Sequence, residues 1–350
     1  MDRTTLAVLG LLGVAVLLLL GSLLIFGSGF YRATVRRRRV QRARHARILV
    51  TAALGRGDER SAVHALSQLT PRERIRSFAE LAPALRGDAR ERLARVGAAV
   101  GLHDLARRMT GSPLWWRRLS GVRLAILLHE RMLVRLRLDD SHATVRAQAA
   151  ASAPDSPNAD LVLGLISLMN DRDDLVRVVA RDSLIRVGPL ANGPLAAHLT
   201  HVQGAQALPA LQVATALGDP SFSRFADRFL HDPLADNRAQ AARLLGAVGS
   251  ADRAPVLVTL LDDPNEDVRA AAAHALGRLR YEAAGNALAE RLEDSAWSVR
   301  REAALALRSL GEPGARLLHH IVDAGGTFAS DMARQVLDLP ASSAAFARRA

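Results

Sequence analysis

The chain has 350 residues, no cysteine, 49% hydrophobic content with only 4% aromatic, and a formal net charge of +12. Lack of cysteine excludes a disulfide scaffold, a thiolate-ligated metal and a thiol enzyme, and an apolar fraction drawn from Ala, Leu and Val points to an all-α protein. All 47 basic residues are arginine, a bias of composition and no signature of phosphate recognition.

Residues 1–4 form a short N-terminal tail and residues 5–27 a predicted transmembrane helix. Leu6 to Phe26 is a run of 21 uncharged residues, ten of them leucine, and at about 1.5 Å per residue it reaches roughly 30 Å, enough to span hydrocarbon. A cleaved signal peptide carries its positive charge ahead of a shorter apolar run. Here Asp2 and Arg3 cancel ahead of the run, whereas Arg32, Arg36, Arg37, Arg38, Arg39, Arg42, Arg44 and Arg47 follow it without an acid between them. The segment therefore reads as an uncleaved single-pass anchor, N-out with the remainder cytoplasmic.

Residues 28–47 form a basic juxtamembrane segment facing anionic lipid headgroups, at about 1 kcal/mol per arginine near the surface. Nine of the 47 basic residues and one of the 35 acids lie at or before Arg47, which leaves the rest of the chain a formal excess of only four. Nucleic acid is an unlikely partner on that balance.

Residues 48–110 read as an N-terminal helical region of short amphipathic helices over 48–54, 59–69, 70–85 and 89–100, punctuated by Gly55, Gly57, Gly87 and Gly101. They lack the repeat signature that follows and would cap its first member.

From 111 to 340 the sequence repeats with a period near 31. An aspartate is followed six residues later by an arginine at Asp140/Arg146, Asp171/Arg177, Asp232/Arg238, Asp263/Arg269 and Asp294/Arg300. The doubled step between Asp171 and Asp232 holds a degenerate copy with Gly204 and Ala210 in the two positions, and Ser112/Arg118 opens the series as a variant, making seven copies. Leu138, Leu230, Leu261 and Leu292 stand two before the aspartate, Val145, Val176, Val268 and Val299 immediately precede the arginine, small residues crowd the next helix, and Gly188, Gly249 and Gly311 mark helix stops. Each unit is a helical hairpin too small to bury its apolar faces alone, so neighbours must stack. A closing helix falls near residues 330–340, and 341–350 is a flexible tail.

Residues 260–279 (LLDDPNEDVRAAAAHALGRL) and 291–311 (RLEDSAWSVRREAALALRSLG) resemble HEAT repeats of the short bacterial kind also seen in phycobilisome lyase subunits. The resemblance implies an α-solenoid whose aspartates sit in the turns, capping the second helices, and whose arginines form a hydrogen-bonded ladder along the stack. With the anchor, it implies a protein of the bacterial inner (cytoplasmic) membrane.

No catalytic, cofactor-binding or metal-binding residue is assigned. Nucleotide-binding, nucleophile-elbow and zinc-protease motifs are absent. His198/His201 reads as a half-exposed pair, and acid pairs such as Asp139/Asp140, Asp173/Asp174 and Asp262/Asp263 recur with the repeat and so serve turns. Trp115 and Trp116 could form an exposed anchor for a partner or a stacking platform for a base, but Trp297 holds the frame position of Trp115, so packing at the turn is expected for at least one of the pair. A second-helix stripe of Arg181, Arg243, His274 and Arg308 is the candidate partner surface. The expected function is a non-enzymatic, membrane-tethered scaffold that binds a protein. The alternative is an enzyme or enzyme subunit, either a bilin-lyase-like component or a HEAT-like nucleic-acid-processing protein.

Overall fold

The computed structural model describes residues 40–249, 251–325 and 328–340, and every regular element among them is an α-helix or a short 3-10 turn. The expected membrane span at 5–27, the arginines from Arg32 to Arg39 and the tail at 341–350 lie outside these residues. Among the described residues no helix is long and apolar enough to cross a membrane. The chain divides into two compact units between Val134 and Arg135.

In the first unit, α1 covers residues 40–55, followed by α2 (Glu59–Ser67), α3 (Pro71–Leu81), α4 (Asp88–Ala99), α5 (Leu102–Thr110) and α6 (Trp115–Leu127), with α7 (Arg131–Arg135) crossing the division. Helix α1 passes through the expected boundary at 47/48. Ala46, Val50, Ala53 and Leu54 recur at helical spacing and are buried, so one continuous face needs the residues before Ile48 as well. Asp58 opens α2 by accepting the Ser61 N–H at 3.1 Å. Thr70 opens α3 with a reciprocal capping box, its own N–H donating to Glu73 at 2.9 Å, and Pro71 fits the first turn.

Helix α5 has no counterpart in the pattern read from sequence. Only nine residues long, it buries Leu102, Ala106 and Thr110. The unit's core gathers Leu66, Phe78, Leu93, Val96, Leu124 and Leu128. Because α6 shares that core with α3 and α4, the opening copy of the series, from residue 111, is part of the first unit.

The second unit contains α8 (Ala143–Ala151), α9 (Ala159–Leu168), α10 (Asp174–Val187), α11 (Asn192–His201), α12 (Ala207–Leu217), α13 (Ser223–Leu230), α14 (Ala235–Val248), α15 (Ala254–Thr259), α16 (Glu266–Leu279), α17 (Gly285–Glu290), α18 (Trp297–Ser309), α19 (Glu312–Ala324) and α20 (Phe328–Leu337). The even-numbered helices pack in succession, α8 on α10, then α12, α14, α16, α18 and α20, and the odd-numbered ones lie against them, making an all-helical solenoid of HEAT-like repeats. Gly249, in the left-handed region at φ 76°, ends α14 where a side chain would strain the backbone.

Successive even-numbered helices approach closely at Gly246 and Gly277. A Cβ on Gly277 would stand 2.8 Å from the Ala306 Cα and 2.9 Å from its Cβ, and one on Gly246 2.9 Å from the Ala275 Cα. The neighbours are backbone, which cannot rotate aside. Gly277→Ala is therefore expected to destabilise the chain by about 1–3 kcal/mol through overpacking, despite alanine's better helix propensity. Gly193→Ala, in α11 with nothing within 4 Å of the new methyl, should be neutral or stabilising. Urea midpoints of the two variants test this, and equal midpoints would show that the α16–α18 crossing is not tight.

Candidate functional site

The periodic aspartates and arginines make one motif three times. Arg146 Nε and Nη2 donate to the two Asp171 carboxylate oxygens at 2.8 and 2.6 Å, while its Nη1 donates to the Asp140 carbonyl at 2.8 Å. Arg238 grips Asp263 at 2.8 and 2.8 Å and the Asp232 carbonyl at 2.9 Å. Arg269 grips Asp294 at 2.8 and 2.8 Å and the Asp263 carbonyl at 2.9 Å. Each guanidinium thus ties its own turn to the carboxylate of the next, a fork that lysine cannot reproduce. Arg177 and Arg300 lack such a partner because Val202 and Gly325 stand 25 residues on. Arg177 pairs with Asp174 and bonds the Asp171 carbonyl at 2.7 Å; Arg300 bonds the Asp294 carbonyl at 2.6 Å.

The aspartates do not cap the second helices. Asp140, Asp171, Asp232, Asp263 and Asp294 each accept the backbone N–H two residues on, all at 2.9 Å. The N-cap residues are His142, Asp173, Leu234, Asn265 and Ala296. Placing the carboxylate two residues before the cap turns its free edge toward the preceding repeat's arginine, which an N-cap could not do while binding its own helix.

In the degenerate copy other groups bridge the stack. The Asn237 amide of α14 donates to the Gly204 carbonyl at 2.9 Å, and Gln240 donates to Thr215 at 2.8 Å. Burial pushes the carboxyls of Asp171, Asp263 and Asp294 up, but their arginine partners and the backbone N–H each accepts outweigh it, holding all three below the ordinary aspartate value.

The proposed partner stripe is largely committed within the chain. Arg181 donates to Gln212 at 2.6 Å, and His274 pairs with Glu302 at 3.0 Å, each bridging successive even-numbered helices. Arg308 donates to the Val336 and Pro340 carbonyls at 2.6 and 3.1 Å, closing the end of α20. Arg243 alone of the four is exposed. Of the arginines expected to face headgroups, Arg42 and Arg44 are exposed on α1, whereas Arg47 is half-buried in an ion pair with Glu80.

The tryptophans are not packed away. Trp115, Trp116 and Trp297 are 39%, 52% and 58% exposed. Trp115 and Trp297 are the first residues of α6 and α18, where the side chain projects off the helix end, and Arg301 stacks over the Trp297 ring. Burial alone lowers the His198 pKa, which favours the neutral imidazole. Among the described residues no three His, Asp or Glu side chains gather to hold a metal.

A groove of about 960 Å³ runs between α1 and α2 in the first unit. Its floor includes Ala46, Leu49, Ala53, Ala65 and Leu69, its rim Arg42, His45, Arg56, Arg60 and His64, and no acid lines it. No periodicity in the sequence marks it, because it forms only when two non-repetitive helices pair.

Residues 222–315 match the family of HEAT repeats. Among solved structures the chain is similar to Kap121p bound to Nup53p, with a TM-score of 0.59 at 14% identity over 84% of this chain and 39% of that one. It is also similar to importin beta, with a TM-score of 0.54 at 14% identity over 83% of this chain and 47% of that one. This chain thus spans less than half the length of either, and at such identities the likeness concerns the fold alone. The complex of CpcE and CpcF of phycocyanin lyase from Nostoc sp. PCC7120 matches at 19% identity over 67% of this chain and 93% of that one, with a TM-score of 0.33, too low to bear on activity. No curated protein sequence matches the chain.

Two expectations follow from the ladder. Arg269→Ala leaves Asp294 buried and unpaired, which should cost about 3 kcal/mol, against about 1–2 kcal/mol for Arg269→Lys. Arg300→Ala, which abandons no carboxylate, should cost less than either, and chemical unfolding that ranks it highest would refute the assignment. The depressed carboxyl values make the unfolded chain bind more protons in acid. The stabilisation they provide is complete above the unfolded aspartate value of about 3.9 and fades as pH falls below it. Asp294→Asn should therefore flatten the fall of the unfolding midpoint as pH drops below about 4, and an unchanged slope would contradict the paired state.

Proposed function

We propose that the chain is a non-enzymatic scaffold, tethered to the membrane through residues 5–27, whose helical repeats bind a protein partner on the cytoplasmic side. The carrying observation is that the periodic charged residues of the second unit are engaged with one another. Asp171, Asp263 and Asp294 each face an arginine of the preceding repeat, so the features that could suggest repeated acid chemistry serve the stack. What the unit offers outward includes an apolar stripe on α10, where Leu175, Val178 and Ile185 share one exposed face.

The likeness to Kap121p, solved bound to Nup53p and to Ste12p, supports protein binding as the class of function, and fold alone assigns no partner. Confinement at a surface would raise the effective concentration of a membrane-bound partner without new contacts.

The test compares partners retained from detergent-solubilised membranes by the full chain and by a chain lacking residues 1–30, a cut that spares α1. Both should retain the same protein, and Leu175→Asp with Val178→Asp should reduce its recovery. Retention of DNA or a bilin in place of any protein would sink the scaffold reading. A reporter fused after Ala350 should remain cytoplasmic, and its export would overturn the orientation.

A further inference from the structure

The α1–α2 groove has a charge pattern that specifies its occupant. The two helices form a hairpin through residues 56–58. Arg42 and His45 stand at one end of the groove and Arg56 and Arg60 at the other. Arg56, the first residue past α1, stands fourteen positions beyond Arg42, so the two positive ends lie about 21 Å apart at 1.5 Å per residue. Between them the floor is apolar and low. Ala46, Ala53 and Ala65 keep it shallow, and Leu49 is 46% exposed above it. Small floor residues permit a third helix to approach at the short end of the usual interaxial range.

The positive charges are available. Arg47 is held by Glu80, Arg92 by the Leu54 carbonyl and Arg95 by Glu59, but Arg42 and Arg60 make no ion pair with any described residue. A phospholipid brings its phosphate to one end of an acyl chain and leaves the second positive end unanswered. A helix of about four turns, apolar along one stripe and acidic at both ends, answers both ends and covers the floor, in the manner of a helix laid in a groove.

We infer that the α1–α2 groove seats an amphipathic helix of the partner protein, with acidic residues flanking an apolar stripe about four turns long. This inference rests on the scaffold reading and names the element by which the partner is held.

A photoreactive phenylalanine analogue at Leu49 in the full chain, illuminated in its own membranes, tests it. Mass spectrometry should find the adduct on a segment of another protein with acids at both ends of an apolar i, i+3, i+4 stripe. Arg42→Glu combined with Arg60→Glu should lower the adduct at least fivefold, and Arg42→Gln with Arg60→Gln less, with the helical circular dichroism unchanged. An adduct on phospholipid, on residues 1–39 of this chain, or on a segment without that pattern overturns the inference. So does a yield indifferent to the charge reversal, or no adduct at all. If the wild-type chain retains a partner and the Arg42→Glu, Arg60→Glu chain retains it equally, the groove assignment falls while the scaffold stands. If the wild type retains none, the scaffold itself falls.

Discussion

A two-helix hairpin has more apolar surface than its own helices can cover, so each repeat completes its core with the next, at one fixed spacing. Everything regular in the second unit follows from holding that spacing. Glycine and alanine set it from inside: Gly246 approaches Ala275 and Gly277 approaches Ala306 so closely that a single added methyl cannot be accommodated. The arginine forks hold it from the rim, reaching from one turn to the next with bonds of 2.6–2.8 Å at three steps. A wider crossing would break the forks, and shorter side chains at the rim could not span even the present one. The two devices are readings of the same distance.

The forks contribute more to register than to net stability. Removing a carboxylate and a guanidinium from water costs several kcal/mol per ion, and their attraction only offsets that when both are present and fully bonded. The apolar faces of successive repeats are alternations of Ala and Leu and discriminate poorly between one neighbour and another. A buried aspartate penalises any arrangement in which its arginine is elsewhere. Where the pair is missing, in the copy around Gly204, the stack is joined through Asn237 and Gln240, amides that are less costly to strand and correspondingly less discriminating.

The period, the hairpins and the identity of the ladder residues were legible because they recur, and recurrence survives the loss of any single member. What failed to recur was harder to read. Helix α5 is short and bounded by Gly101 and Gly111, which mark breaks in the chain without saying that the stretch between them is helical. The start of α1 lay hidden in an arginine run that looked like a membrane-surface segment, because charge masks the spacing of Ala46 and Val50. The aspartates were misplaced by two residues, since the sequence shows an acid near a helix start but not which N–H it accepts. The tryptophans were expected at turns because Trp115 and Trp297 share a frame position, and a shared position does not say whether it is buried. The carbonyl partners of Arg308, at the end of α20 and 28 and more residues away, leave no mark in the sequence.

Arginine is the only cation-bearing long side chain in this protein, and its role at each site is decided by who supplies the acid. At Arg146, Arg238 and Arg269 the next repeat supplies it, and the charge disappears into the stack. At Arg47 and Arg95 a helix of the same unit supplies it, through Glu80 and Glu59. At Arg42 and Arg60 no described neighbour does, while the surface between them is apolar and low enough to admit another helix. A cation on the rim of an apolar groove keeps its hydration until an acid arrives, so an acidic helix gains charge pairing and apolar burial in one step, whereas a neutral helix gains only burial. The contact that locks repeat to repeat within this chain is then available, with the same chemistry, to a carboxylate from another.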